Sequence, residues 1–157
     1  MNTTLSITPK KEKQFLFSVK LNYQLNEPCI LSAEEKTQTI KLDVHSKLGQ
    51  HSPDWNPEQL LLGALESCYM STLNYYLKKG NITIEKLLCE TIGSVALLNG
   101  KLRFTKIDLY PNIYLSNPKD QQAISEMLIQ TQQNCMVANT LNTEIVYHHQ
   151  ILNGVNK

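Results

Sequence analysis

Phe15, Phe17, Val19 and Leu21 alternate with mostly polar neighbours, which is the period-two pattern of a strand with one buried face. Thr39 to Val44 reads as a second strand, and the stretch between them, Asn22 to Lys36, reads as a loop holding Cys29. The period then changes. HSPDWNPEQ gives a sharp helix start, with Asn56 suited to the N-cap, Pro57 to the first helical position and Gln59 to the capping box. The pattern predicts a helix to about Lys79, stopped by Gly80-Asn81. At 100° per residue, Leu61, Ala64, Leu65, Thr72 and Tyr75 gather around Cys68, while Met70, Leu73 and Leu77 lie opposite with a lone Glu66. A helix apolar on nearly every side is a buried one. In this chain it is expected to be central, with a sheet on one side and another helix or a second subunit on the other.

Beyond the helix, Ile82–Leu98 and Leu102–Leu115 read as extended arms of a hairpin around the type I′ turn signal Asn99-Gly100, with Pro111 expected to end the regular pairing. Asn117-Pro118 opens a second helix whose stripe is Ala123, Ile124, Met127, Leu128 and Thr131. Asn134-Cys135 opens a short turn or helix, and Thr143–Leu152 closes the chain as a strand. The expected order is β-β-α-β-β-α-β, an α+β pattern in a single domain spanning 1–157.

Composition narrows the function. Hydrophobic residues make up 41% and charged residues 18%, the latter below the roughly 25% usual for soluble domains. This balance suggests surface covered by another subunit. A formal charge of +1 supplies no electrostatic reason to expect nucleic acid or an anionic membrane as partner. The N-terminal residues carry no apolar segment of signal-peptide length, and the longest apolar block, Leu60 to Leu65, is too short to span a bilayer, so a cytoplasmic location is expected. Thiols stay reduced there, and Cys29, Cys68, Cys89 and Cys135 show no C-x-x-C spacing, so neither a disulfide framework nor a zinc knuckle is indicated. His45, His51, His148 and His149 lack ligand spacing, and His148 and His149 should point to opposite faces of a strand; no metal and no cofactor are expected.

The residue pattern leaves Cys68 open between a small core residue and a reactive thiol. A reactive cysteine needs a cation, a helix N-terminus or a base beside it. Cys135, at the start of a short helix, is open in the same way. Glu58, in the first turn of the long helix, suits the helix dipole, and it lies ten residues before Cys68, about 15 Å along the axis. The two meet only if a bend or a second subunit brings them together.

The segment NPEQLLLGALESCYMSTL, Asn56 to Leu73, resembles the N-P-E-x-L…C helix of the OsmC/Ohr superfamily, the osmotically inducible and organic hydroperoxide resistance proteins. NCMVANTL, Asn134 to Leu141, is similar to its second motif, C-x-V-S/A-N-T-L, and GKLRFTKIDLYPNI to its F-T-K-I-x-L strand. The resemblance runs from about Phe15 to Ile151. It implies an OsmC-like fold: an intertwined homodimer whose long central helices are wrapped by sheets from both chains, with the sites at the interface. It implies a peroxidase of alkyl or fatty-acid hydroperoxides, without metal or flavin, recycled by an external dithiol of lipoyl type. Cys68 takes the role of the attacking thiolate, Cys135 that of the resolving thiol and Glu58 that of the site carboxylate. The sequence departs from the family at one point. The peroxidases carry an arginine in the N-terminal strand region, and Gln14 to Lys41 has none. Arg103, the chain's only arginine, shares a face with Ile107 and Leu109 by simple alternation and is the candidate replacement, with Lys20 as another cation. The alternative is an OsmC-like protein that is not a peroxidase and binds a small thiol-reactive or apolar ligand in the interface pocket.

Overall fold

The structure is a computed structural model and describes residues 14–154. The fold is α+β, and the chain divides into two compact units between Trp55 and Asn56.

The first unit is a three-stranded antiparallel sheet in the order β1 (Lys20–Asn22), β2 (Cys29–Ser32), β3 (Ile40–Leu42). The expected strand over Phe15–Leu21 is realised only from Lys20, and Phe15, Phe17 and Val19 are exposed. Apolar alternation marks a face fit for burial, and the pairing of β1 with β2 runs over three residues, Lys20 to Asn22. The segment read as a loop contains the central strand, β2. Its apolar run, Cys29–Leu31, is too short to show a period between the turn at Gln24–Glu27 and the polar residues from Ser32. After β3, the Asp43 carboxylate accepts from the backbone N–H groups of His45 and Ser46 at 3.0 and 2.9 Å, turning the chain away from the sheet. The Ser46 hydroxyl, together with these backbone bonds, holds the Asp43 carboxyl below the usual carboxylate range.

The second unit begins with α1 (Pro57–Lys79), whose N-terminus is closed as its sequence demands. Asn56 Oδ1 accepts from the Gln59 backbone N–H at 2.7 Å, and Gln59 Oε1 accepts from the Asn56 N–H at 3.2 Å. At the other end Ile82 N–H reaches the Leu77 carbonyl and Asn81 N–H reaches that of Lys78, the bond pair of a Schellman motif. The left-handed residue is Asn81 (φ 52°), not Gly80, which stays right-handed. A Cβ at Gly80 would meet only the Met127 methyl of the second helix, the end of a flexible side chain that can move aside.

β4 (Ile84–Leu98) and β5 (Lys101–Leu115) form the long hairpin, and both turn residues have positive φ, 51° at Asn99 and 74° at Gly100. That is the type I′ geometry which Asn-Gly favours. A 3₁₀ turn at Pro118–Asp120 leads into α2 (Gln121–Asn134), followed by the short α3 (Met136–Thr140). The expected closing strand is split into β6 (Glu144–Tyr147) and β7 (Gln150–Asn153), both parallel to β5 on the side away from β4. Pro111 explains the split. The Leu109 carbonyl accepts from the His148 N–H, so odd-numbered residues of β5 turn their backbone groups towards this neighbour, and Pro111 has no N–H to offer there. Pro111 does not end the pairing with β4, where it sits opposite Cys89.

The core of this unit lies between helix and sheet. α1 contributes Leu65, Tyr69, Leu73 and Leu77; β5 contributes Ile107, Leu109, Ile113 and Leu115; α2 adds Ile124 and Leu128. Burial within the chain thus follows one stripe of α1. Ala64 and Tyr75, which the sequence pattern gathers around Cys68, are exposed, as are Ser67 and Ser71. Among the described residues no helix is long and apolar enough to cross a membrane.

Candidate functional site

Cys68 lies on the flank of the buried stripe of α1, and Cys135 is the N-cap of α3, fully buried. The packing of α3 on α1 brings the two thiols together. Both cysteines are free thiols. The backbone of α3 supplies donors to the pair. The Val137 N–H donates to Cys68 Sγ at 3.4 Å, and the Ala138 and Val137 N–H groups face Cys135. These are the groups a helix start leaves without intrahelical partners. Burial nevertheless pushes the Cys135 thiol up, and the adjacent Cys68 thiol adds to the rise. Cys135 is therefore protonated at neutral pH.

Aromatic residues stand beside the thiols. Tyr69, one turn along α1 from Leu65, is fully buried and stacks on Tyr147 of β6 with ring centroids 5.8 Å apart. Tyr147 in turn lies nearly parallel to His149, at 10° and 5.8 Å. The Tyr69 hydroxyl and His149 Nε2 share a hydrogen bond of 2.7 Å. Burial raises both phenols, Tyr147 to about 12, and the nearby Cys135 adds to the rise in each case. Burial lowers His149, so its imidazole is neutral at pH 7.

Alternation carried across the break in the closing strand sends the two histidines to opposite faces, as the sequence leads one to expect. His149 faces the helices, whereas His148 Nε2 meets Asp108 Oδ1 at 2.7 Å on the other face. Lys106 Nζ reaches the same carboxylate oxygen at 2.7 Å, and Tyr110 stacks on His148 at 4.5 Å. The bonds from His148 and Lys106 hold the Asp108 carboxyl below its ordinary value.

The structure thus brings Cys68 and Cys135 together and leaves the other two candidates apart from them within the chain. Glu58 is half-buried in the first turn of an unbroken helix, so its distance from Cys68 remains about 15 Å along the axis. Arg103 is exposed and does not share a face with Ile107 and Leu109. The register between β4 and β5 shifts at Thr105, where Val95 faces Phe104 and Ser94 faces Lys106. That one-residue bulge reverses the alternation, so Phe104 turns inward to the core instead. The ion pairs among the described residues join Lys106 and His148 to Asp108 and include neither Glu58 nor Arg103. Lys20, on β1, is exposed in the first unit. Cys29 is buried in the first unit. Cys89 lines a crevice of about 300 Å³ with Gly63, Glu66, Ser67, Met70 and Leu87, and burial, with the Glu66 carboxylate, raises its thiol. The described His, Cys, Asp and Glu residues form no group of three or more placed to hold a metal ion.

The sequence shows His149 only as a histidine without metal-ligand spacing and gives no signal for Tyr69 or Tyr147. Tyrosines at core positions read as packing, and only the tertiary fold shows three rings converging beside a thiol pair.

Comparison with known proteins bears on what this arrangement is. Residues 49–149 match the family of OsmC-like proteins. The chain is 21% identical over 132 residues to the uncharacterized protein YmaD of Bacillus subtilis, covering 82% of this chain and 88% of YmaD. Its fold is similar to that of an OsmC-like protein from Mycoplasma pneumoniae, with a TM-score of 0.74 at 21% identity over 89% of this chain and 99% of that one. It is also similar to an organic hydroperoxide resistance protein from Elizabethkingia anophelis, with a TM-score of 0.67 at 16% identity over 90% and 99% of the two chains. With its two cysteine motifs inside the matched span and the same α+β fold, the chain belongs to the OsmC-like protein family, within the OsmC/Ohr superfamily.

Proposed function

We propose that this protein is a cysteine-dependent peroxidase that reduces organic hydroperoxides. The observation that carries the reading is the contact of two free thiols, Cys68 and Cys135, at the start of α3. The Cys68 thiolate attacks the outer peroxide oxygen; the O–O bond breaks, the alcohol leaves, and Cys68 becomes a sulfenic acid. The Cys135 sulfur then displaces hydroxide from Cys68, forming the disulfide and water. An external dithiol, of lipoyl type, reduces the disulfide by thiol–disulfide exchange and is itself oxidised. The Val137 N–H at 3.4 Å from Cys68 Sγ supports the first step, since a donor there stabilises charge on sulfur. No cofactor or metal enters the cycle.

The reading includes a homodimer in the cytoplasm. The exposed alternation Phe15, Phe17 and Val19 and the exposed Tyr75 of α1 support a covering subunit, because such residues are costly to leave in water. A second subunit would also supply the approach of Glu58 and a cation, Arg103 or Lys20, that one straight α1 does not provide. The family match crosses the boundary at Trp55, which supports one OsmC-like domain over 1–157.

A second reading, an OsmC-like protein that binds a small thiol-reactive or apolar ligand, is favoured by one observation: the exposed position of Arg103 leaves no guanidinium beside Cys68 within the chain. One experiment separates the two. Purified protein, reduced and freed of reductant, is mixed with one equivalent of an alkyl hydroperoxide, beside Cys68→Ser and Cys135→Ser. Alcohol release and a mapped Cys68–Cys135 disulfide in the wild type, with release lost in Cys68→Ser, are expected. No alcohol release, or a disulfide through Cys29 or Cys89, would leave the binding reading in its place.

A further inference from the structure

We propose that the reducing dithiol enters by the opening that the hydroperoxide uses and attacks the Cys68 sulfur of the Cys68–Cys135 disulfide, so that Cys135 is the sulfur expelled; the inference deepens the peroxidase reading above and rests on it. The two sulfurs differ in their surroundings. Cys135 is 0% exposed and belongs to the core that holds Leu65 and Tyr69. Cys68 only borders that core and is half-buried. A second subunit can cover more of the chain, but it cannot uncover Cys135. Cys68 must stay reachable in any assembly that reduces hydroperoxides, because its sulfur is the atom the peroxide meets.

Helix geometry places the opening. On one side of Cys68 the α1 surface is closed by the buried Leu65 and Tyr69; on the other lie the exposed Ala64, Ser71 and Tyr75, each within about 60° of Cys68 around the axis. Ala64 and Ser71 are small and leave the approach along this strip open. The Val137 N–H of α3 meets Cys68 Sγ at 3.4 Å, so the start of α3, with Cys135, stands against the sulfur. Thiol–disulfide exchange proceeds in line, with the nucleophile opposite the leaving sulfur. At Cys68 it arrives from the side away from Cys135. At Cys135 it would have to displace core side chains. Burial raises the Cys135 thiol, and a raised thiol leaves less readily, but a sulfur with no open side is not reached at any leaving-group acidity.

In the first exchange a reductant sulfur bonds to Cys68 Sγ as the Cys68–Cys135 bond breaks. The Cys135 sulfur leaves as thiolate, facing the Val137 and Ala138 N–H groups, and takes up the proton that the attacking thiol gave up. The second thiol of the reductant then attacks the reductant sulfur of this mixed disulfide and releases its own proton to water. The reductant closes its disulfide, Cys68 leaves as thiolate, and two electrons have passed from the dithiol to the protein. The same geometry explains why a dithiol is needed. A monothiol on Cys68 stays beside Cys135, which attacks Cys68 again and expels it.

The test traps the mixed disulfide. The Cys68–Cys135 disulfide is made in the wild-type protein with one equivalent of an alkyl hydroperoxide and, in parallel, with diamide, which needs no peroxidase activity. Excess glutathione is added for short times, free thiols are blocked with N-ethylmaleimide, and the peptides are mapped. At the earliest times glutathione should sit on Cys68 and maleimide on Cys135, by about tenfold or more over the reverse. In urea, where burial is gone, the preference should shrink to about threefold or less. Ala64→Phe, which narrows the exposed strip, should slow alcohol release and disulfide reduction by dihydrolipoamide together, each by about tenfold. As much glutathione on Cys135 as on Cys68 in the folded protein overturns the inference, and so does a preference that survives in urea. Two rates that respond differently to Ala64→Phe, or no effect on either, overturn the shared opening. Absence of alcohol release in the wild type overturns the peroxidase reading and the shared opening with it, while the diamide arm still reports which sulfur is attacked.

Discussion

Removing the Tyr69 hydroxyl tests the physical core of the site without any substrate. Tyr69→Phe deletes one neutral hydrogen bond, the 2.7 Å contact with His149, at a position that is 1% exposed. Such a bond contributes about 1 kcal/mol net, and a buried partner left unsatisfied adds about 1–3 kcal/mol more. Gln132, at 3.3–3.4 Å from both ring nitrogens, can take over part of that demand. The expected loss is therefore about 1.5 kcal/mol, or about 3–6 °C in melting temperature for a chain of this size. The ring stays, so its stacking on Tyr147 is kept and no cavity forms. A second arm uses pH. His149 has a folded value below its unfolded one, so the unfolded chain binds the proton first as pH falls. Its contribution is fully present above about pH 6.5 and is lost progressively below that value, down to the folded value. Thermal melts from pH 8 to 5 should show this slope in the wild type and a shallower one in His149→Gln. A Tyr69→Phe protein that melts within 1 °C of wild type, or a slope unchanged in His149→Gln, would refute the reasoning.

Asn56→Ala should cost about 1 kcal/mol in urea titration, because it opens the capping box at the start of α1; no change in midpoint would count against the cap. Gly80→Ala, at a right-handed C-cap, should change stability by less than about 1 kcal/mol in the same titration, because its Cβ meets only the Met127 methyl, the end of a flexible side chain that can swing aside; a loss of several kcal/mol would show that Met127 is held fast. Asp108 has its folded value depressed by His148 and Lys106, so its stabilisation is present above about pH 4 and is lost as pH falls towards that lower value. Asp108→Asn should flatten the acid limb of the stability curve below pH 4, read by circular dichroism melts, and an unaltered limb would show that these bonds contribute nothing.

What the sequence makes legible is whatever depends on near neighbours along the chain. The capping box needs Asn56 and Gln59, three positions apart, and the I′ turn needs only Asn99-Gly100. The thiol pair was legible for another reason: each cysteine sits inside a distinctive local segment whose resemblance to a family carries the long-range pairing with it. Arg103 shows the limit. Its facing follows from counting back from Ile107 by twos, and one extra residue at Thr105 reverses the count. No residue type in KLRFTKI announces that bulge, because it is fixed by how β4 and β5 align on the core. β2 was missed for a similar reason: four residues in the middle of a sheet owe their strand to partners on both sides.

Pro111 links the fold to the site in a way that neither residue motif nor family resemblance contains. A single missing N–H on β5 coincides with the gap between β6 and β7, and that gap holds His148 and His149 outside the regular ladder. An uninterrupted closing strand would tie both residues into the sheet. The register is the same on both sides of the gap, so alternation keeps the His149 ring on the Tyr147 face, where it lies almost parallel to Tyr147 and reaches the Tyr69 hydroxyl and Gln132. On the other face it lets His148 stack at 10° on Tyr110 while bonding Asp108. The Tyr69–His149 pair is thus held between α1 and the closing segment, beside the Tyr147 ring of β6 and the Gln132 amide of α2. Substituting Pro111 by a residue that restores the N–H, such as Val, should extend the ladder through His148 and disturb the Tyr69–His149 bond. The His149 ring proton and nitrogen shifts would report that directly, and shifts identical to wild type would break the link between the proline and the site.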